Sequence, residues 1–502
     1  MTETRRDFLR FVLAGSVVAG CPIDPKLLVA APQPTATTPQ VDGDHFEICH
    51  KIRDGQKFVA PPVSKRYDIV IVGGGIAGLS SAYFLRDKNF LLLEKEPHWG
   101  GNAYKETYEG QGFATGSAYD FAGSDSNNLA KELGLEQLPV NAADPTIVGG
   151  KWIADMWRSG IDELPYPQKT REAFKQFRKK MLAIDYEKNV KQLDNEPLTK
   201  YLQGFPPEIT HWWDAYGPSN WGAKAADTCT YVALDDFHTF AGEDAKDDRI
   251  TLPGGNGALS EKLAAKLLEQ HADQMLLNAT TVAVEQQKNS ANVSYFHAGK
   301  LHTVSARVVI MAASKQIASY ITSGISPDQR DAMRAIRYAP YPVINMIFDK
   351  PVYNRGYDTW CPGNSFTDMI VADWTIRNQP DHKQKNNILT FYTPLAEVDR
   401  HKQLTEEGCK TIALNVLHDF KKLLPEFNVD PIEIHMYRRG HPMFMAVPGN
   451  FTKTIPAARH PLERVFFANA DSEGPESLAM NAVSSAKKAA EWVSNKLAGK
   501  TM

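Results

Sequence analysis

The chain has 502 residues, with 56 Lys and Arg against 59 Asp and Glu, a formal charge of −3 and 43% hydrophobic residues. Near-neutral charge gives no electrostatic footprint for nucleic acid, and no apolar run beyond the first twenty residues is long enough to cross a bilayer as a helix. The roughly 440 residues after the N-terminal region exceed one usual hydrophobic core, so two intimately packed domains are expected.

The chain opens on Thr4-Arg5-Arg6-Asp7-Phe8-Leu9-Arg10, a twin-arginine export motif, and a short apolar run to Gly20. Val18-Ala19-Gly20-Cys21 resembles a lipoprotein cleavage box that leaves Cys21 lipidated; cleavage after Val29-Ala30-Ala31 would instead leave a soluble periplasmic product. Residues 1–31 are thus a signal region, and residues 32–65 hold a Pro- and Thr-rich tether followed by His45-Phe46-Glu47-Ile48-Cys49-His50. Apart from Cys21 the cysteines stand at 49, 229, 361 and 409, too far apart for a disulfide framework or a metal pattern.

Next comes the most informative run. Tyr67-Asp68-Ile69-Val70-Ile71-Val72 reads as a buried strand, Gly73-Gly74-Gly75-Ile76-Ala77-Gly78 as a turn into a helix, and Leu91-Leu92-Leu93-Glu94 as a second strand ending in an acid. Gly73 allows the tight turn, Gly75 lets backbone approach a pyrophosphate, Gly78 lets helix pack on strand, and the helix N-terminus at Ile76-Ala77 faces the phosphates. Glu94, followed by Lys95, would hold the adenosine ribose. Gly100-Gly101-Asn102 puts flexible backbone where a flavin enzyme wraps the second phosphate and ribityl chain, which favours FAD over NAD.

Further on, Leu252–Leu259 opens an amphipathic helix, Thr280–Glu285 and Ala306–Ala313 read as strands, and Arg464–Asp471 is a strand ending in an acid before a last helix from Met480. The expected fold is α/β: a Rossmann-like FAD domain (66–135, 250–320 and 455–502) with an interleaved α+β substrate domain (136–249 and 321–454). The inserted stretches carry Trp212-Trp213, Tyr216 and Trp221, then Tyr338, Tyr341, Trp360 and Tyr437. Aromatic walls suit an amine by desolvating it, although such residues serve equally as core. Glu243-Asp244 and Asp247-Asp248 read as a solvated acidic loop or a lure for a polycation.

This pattern resembles the flavin-containing amine oxidoreductase superfamily, of the amine oxidase and glutathione reductase-like fold type. The resemblance implies non-covalent FAD, since no cysteine follows Cys409 for a C-terminal thioether. It implies cofactor contacts from Val282, from Gly116 and Ser117 beside the isoalloxazine, from Asp471 at the ribityl-pyrophosphate region, and from the backbone at Met480 at the flavin pyrimidine. Tyr119, Tyr437 and His441 become candidate catalytic residues. The lysine that many amine oxidases place near flavin N5 falls on Val343, which argues for electron transfer away from the flavin over fast reaction with oxygen.

A narrower likeness, carried by His45–Gly55 and Phe467-Ala468-Asn469-Ala470-Asp471, is to bacterial spermidine dehydrogenases, which carry FAD and a haem. This chain is shorter than those enzymes, so insertions that shape their polyamine pocket would be missing. A c-type haem usually takes Cys-x-x-Cys-His; Phe46-x-x-Cys49-His50 could form one thioether only, with His50 as the axial-ligand candidate. The competing reading is a buried cysteine beside an ordinary histidine.

The expected activity is therefore hydride transfer from the carbon next to a polyamine-like nitrogen to flavin N5, with electrons passing to haem, a cytochrome or a quinone. An FAD-dependent desaturase or isomerase of an apolar substrate, an electron-transfer subunit and a non-catalytic relative remain as alternatives.

Overall fold

The computed structural model describes residues 37–142, 144–243, 245–377 and 386–500. The twin-arginine motif, both cleavage sites, Cys21 and the start of the tether lie outside the described residues, as does Asp244.

Ile69, Val70, Ile71 and Val72 are all buried, so the strand Lys65–Val72 is covered on both faces, as its unbroken apolar run requires. It pairs in parallel with Phe90–Leu93 on one side and with Lys300–Met311 on the other. Met275–Leu276 extends the sheet beyond Phe90–Leu93. The long strand Lys300–Met311 divides its far edge: its first half pairs antiparallel with Ala291–His297, its last three residues in parallel with Val465–Phe467. Thr280–Gln286 completes the seven strands. The helices Ile76–Phe84, Gly257–His271 and Ala479–Leu497 pack together over one face through Leu79, Leu263, Leu267 and Val483.

A second sheet of eight strands runs Gln40–Gly43, Glu433–Arg438, Val343–Phe348, Asn387–Tyr392, Asp368–Val371, Asp358–Trp360, Thr146–Val148, Lys151–Ile153. The helix Glu406–Leu423 covers it through Ile412, Val416 and Phe420. The helices Gln168–Leu182, Pro207–Trp221 and Thr230–Ala241 form a lobe around Trp157, Phe177, Trp213 and Phe237. The fold is thus the mixed α/β arrangement expected, with strands of both orientations. The segment before the glycine motif is structured. Gln40–Gly43 lies parallel to Glu433–Arg438 at the edge of the second sheet, and Glu47–Arg53 is a helix beside the helix Lys315–Ile321.

Two glycines have geometric work to do at the turn. Gly73 has φ +105°, which an L side chain rarely adopts, and a Cβ on Gly78 would fall 1.8 Å from the Gly73 carbonyl oxygen. Gly78→Ala is expected to push the helix off the sheet, destabilise by about 1–3 kcal/mol and lower the FAD content of the purified protein. An unchanged melting temperature and FAD-to-protein ratio would show that the close approach is not needed.

Candidate active site

Two cavities meet between the sheets. The larger, about 700 Å³, runs along the glycine turn. Gly73, Gly75, Ile76, Ala77, Glu94, Lys95, Gly100, Gly101, Asn102, Ser117 and Asp471 all line it. A Cβ on Gly75 would meet nothing closer than 3.9 Å, so the turn leaves open space where a pyrophosphate would pass. Glu94 is held by the Gly74 N–H, which donates to Oε2 at 2.5 Å, and by the Glu96 N–H, which donates to Oε1 at 2.8 Å. Burial raises the Glu94 pKa despite those contacts and the charge of Lys95. Lys95 pairs with Glu96, which also binds His45, so the N-terminal segment is tied to this wall.

Residues that could hold FAD are therefore gathered on one surface, and three further observations fit the group. His98 Nδ1 and Thr281 Oγ1, on residues lining the cavity, are buried without a hydrogen-bond partner in the protein. Leu478 and Ala479, at the N-terminal end of the last helix, line the cavity, and the N-cap Leu478 offers no side-chain cap to the free N–H groups there. Gly78 itself lies behind the turn. Val282 and Met480 do not line the cavity, although their neighbours Thr280, Thr281, Ala479 and Ala482 do.

Asp471 makes more contacts than the sequence suggests. Oδ1 binds Lys315 Nζ at 2.7 Å; Oδ2 accepts from the Lys315 N–H at 2.7 Å and from the Tyr338 hydroxyl at 2.6 Å. Burial and the Asp471 charge push the Tyr338 phenol well above its ordinary pKa, so it stays protonated and donates. The carboxylate keeps one acceptor position free for the cavity.

Cys49 and His50 also line the larger cavity. His50 sits 4.7 Å, ring to ring, from Phe46, and burial together with the nearby Arg53 lowers its pKa, so the imidazole is neutral. Burial raises the Cys49 pKa. No group of three or more metal-ligating side chains occurs among the described residues. His441 lines the same cavity, its pKa pushed down to about 4 by burial and by the charge of Arg400.

The second cavity, about 330 Å³, shares Asn102, Ser117, Arg439, Pro442, Ser477, Leu478 and Ala479 with the first. Gly116, Tyr119, Trp212, Tyr216, Tyr341, Val343 and Trp360 line it. Trp213 and Trp221 do not: they are fully buried in the helical lobe. His441 lines the first cavity and not the second, although its neighbour Pro442 lines both. Tyr437 lines neither cavity; its hydroxyl turns to His435, 3.5 Å away, in a cluster with Glu106. A buried phenol needs a polar partner, and on this strand that partner lies away from the site.

The sequence reading missed the acids. Asp144, Asp236, Asp358, Asp368 and Glu476 all line the second cavity. Asp144 pairs with Arg249 at 2.7 Å, and Arg249 also binds Asp247. Among the described residues the other four have no cationic partner within ion-pair distance. Burial drives their pKa values up, to about 7 for Asp236 and Asp368, and well above the carboxylate range for Glu476 and Asp358. The charge of Asp368 also raises Asp358, and that of Asp236 also raises Glu476. Asp358 and Asp368 stand on adjacent antiparallel strands, where Trp360 faces Asp368, and they form one acidic group; Asp236 and Glu476 form another. Asp residues are rare inside strands, so an acid within Tyr357-Asp358-Thr359-Trp360 and Thr367-Asp368-Met369-Ile370-Val371 was the available signal.

Comparison with known proteins agrees with this geometry. The profile of the family described as flavin containing amine oxidoreductase matches residues 76–494. Oxidoreductase PigB of Serratia sp. is 23% identical over 499 residues, 82% of this chain and 73% of that one. Wild-type putrescine oxidase bound to putrescine superposes with a TM-score of 0.66 at 17% identity, over 85% of this chain and 99% of that one. Cyclohexylamine oxidase from Brevibacterium oxydans gives 0.66 at 17%, over 86% and 99%. With its glycine turn, Glu94 and two joined cavities inside the matched segment or against it, the chain belongs to the flavin-containing amine oxidoreductase family and is an FAD-dependent oxidoreductase.

Proposed function

We propose that the protein oxidises a di- or polyamine at the carbon next to nitrogen. The observation that carries this reading is the second cavity: two groups of acids without cationic partners, Asp358, Asp368 and Glu476 buried and Asp236 half-buried, set among Tyr119, Trp212, Tyr216 and Trp360, opening onto the cofactor cavity. Buried carboxylates are stabilised by a cation, and aromatic faces add to its binding. One nitrogen of the substrate would rest as an ammonium among the acids, while another loses its proton and lies at the cavity junction. FAD held in the larger cavity would supply the hydride acceptor, while the chain's own residues orient the carbon, exclude water and hold the distal charge. Hydrolysis of the imine would then release an aldehyde together with ammonia, where the oxidised nitrogen is primary, or a smaller amine, where it is secondary. The fold shared with putrescine oxidase supports this reading. An apolar substrate is disfavoured, because it would leave the acids buried without compensation.

For the electrons, we propose an acceptor other than oxygen. Val343, which the family resemblance sets at the place of the lysine near the flavin, lines the second cavity. Cys49 and the neutral His50 face the cofactor cavity, where they would hold a haem through His50 and at most one thioether; a cytochrome or quinone would take the electrons onward. The twin-arginine motif at the N-terminus supports the further proposal that this chemistry takes place on the periplasmic side, with the protein either released there or anchored through Cys21.

The test is the visible spectrum of the exported protein before and after anaerobic addition of spermidine. Flavin bands that bleach, with a sharpening Soret band, are expected. A flavin spectrum that spermidine does not change removes the polyamine reading; the lack of any Soret band removes the haem.

A further inference from the structure

We propose that Arg439 is the positive charge that stabilises the flavin ring of this enzyme when it accepts a hydride. The inference rests on the FAD reading above and not on which amine is oxidised. Arg439 is 6% exposed and lines both cavities. Its guanidinium is fixed by neutral acceptors only: Nε donates to the Thr115 carbonyl at 3.2 Å, Nη2 to Thr115 Oγ1 at 3.0 Å, and Nη1 to the Gly101 carbonyl at 3.2 Å and Asn102 Oδ1 at 3.4 Å. Its backbone N–H donates to Gln403 Oε1 at 2.9 Å. Among the described residues no carboxylate lies within ion-pair distance of it. Asp44, whose charge reaches it from farther off, accepts from the Gly440 N–H and faces Lys95.

A guanidinium that is buried, oriented on several sides and left without a counter-ion is an unfinished ion pair. Burial lowers its pKa, and its charge joins burial in lowering that of His98 on the same wall. The anion that completes it has to come from the cavities. Hydride transfer requires the substrate carbon and the flavin ring to meet where the two cavities join, and Arg439, Asn102 and Ser117 stand at that junction. Uptake of a hydride carries two electrons and one proton into the ring, a net gain of one negative charge. A fixed cation beside the ring favours that gain without having to reorganise. The competing anion is the pyrophosphate, because Gly101 also packs against Gly75. The two possibilities differ in what they affect: a cation on the pyrophosphate alters how tightly FAD binds, whereas a cation on the ring alters how readily bound FAD is reduced.

The experiment is the midpoint potential of FAD in the purified holoenzyme, taken by dye-coupled reduction, together with the FAD dissociation constant, for wild type, Arg439→Gln and Arg439→Lys. Arg439→Gln is expected to lower the reduced-to-oxidised ratio at a fixed potential by tenfold or more, about 30 mV for two electrons. Arg439→Lys should stay within threefold of wild type. Asn102→Asp, which brings a carboxylate to Nη1 and neutralises the charge while keeping the side chain, should lower the ratio in the same direction even if Arg439→Gln retains no FAD. Weaker FAD binding at an unchanged potential would assign Arg439 to the pyrophosphate and overturn the proposal. Unchanged potential and affinity would make it a structural tie and overturn it equally. No amine enters the measurement, so an error in substrate class cannot produce either result, and a wild-type protein without flavin would refute the FAD reading instead.

Discussion

Asp368→Asn is expected to cut kcat/KM for a diamine by about 10²–10³ and at the same time to make the substrate-free protein more stable at pH 8. Both effects come from one carboxylate that is 2% exposed. Asp368 accepts from Thr367 Oγ1 at 2.5 Å and shares its face of the sheet with Asp358, whose Oδ1 has no partner. With its folded pKa raised to about 7 from the ordinary 3.8, the native state holds the proton more tightly than the unfolded chain does. This contribution to stability is fully present below pH 3.8 and is lost as pH rises through about 7. At pH 8 the wild type therefore carries a cost of about 2–4 kcal/mol that Asn does not. At pH 4 the two proteins should melt together. A dicationic substrate supplies the missing counter-charge, so its binding should raise the wild-type melting temperature most above pH 7 and raise that of the variant much less.

The control is a monoamine of equal chain length, which presents its nitrogen at the junction and nothing to the acids. Its kcat/KM should change less than tenfold in Asp368→Asn. Steady-state rates with an artificial electron acceptor decide the matter, and equal losses for diamine and monoamine would end the ammonium role. Asp236→Asn tests the second acidic group in the same way. Asp236 faces Tyr216, whose hydroxyl donates to Oδ2 at 3.3 Å, and its pKa is also raised to about 7.

What could be read from the sequence follows the distance over which each part of the site is written. The cofactor wall occupies one run from Gly73 to Asn102, and its chemistry needs glycine at the turn, a buried strand on each side and an acid at the end of the second. Local pattern alone dictates that assembly. The acidic cavity is built from Asp144, Asp236, Asp358, Asp368 and Glu476, more than three hundred residues apart at the extremes, and each looks like an ordinary polar residue until the strands bring them together. The aromatic residues divided for a related reason. Trp212 and Trp213 are neighbours on one helix, yet side chains one position apart point about 100° apart, so one faces the cavity and the other the lobe core. Arg439 was invisible as a site residue because its meaning lies in what surrounds it, four neutral acceptors and, among the described residues, no acid within ion-pair distance.

Lys315→Met is expected to be among the most destabilising single changes in the chain, at about 3–5 kcal/mol, because it leaves Asp471 buried without its cationic partner. The Lys315 side chain is 0% exposed and that of Asp471 2%, and Nζ binds Ser472 Oγ as well as Asp471 Oδ1. The pair joins the start of the helix Lys315–Ile321 to the turn after the strand Val465–Phe467, two segments that both border the cofactor cavity. Loss of the lysine should therefore loosen that border and release FAD at a lower denaturant concentration than the wild type, which flavin fluorescence reports directly. Asp471→Leu alone strands the ammonium instead and should be comparably costly. The double variant removes both charges and leaves an apolar pair beside Phe467, whose ring lies 5.6 Å from Nζ. It should recover at least 2 kcal/mol relative to the sum of the single variants. If the two losses simply add, the ion pair is not what holds these segments, and the two contacts that remain to Asp471, from the Lys315 backbone N–H and from the Tyr338 hydroxyl, would have to do so.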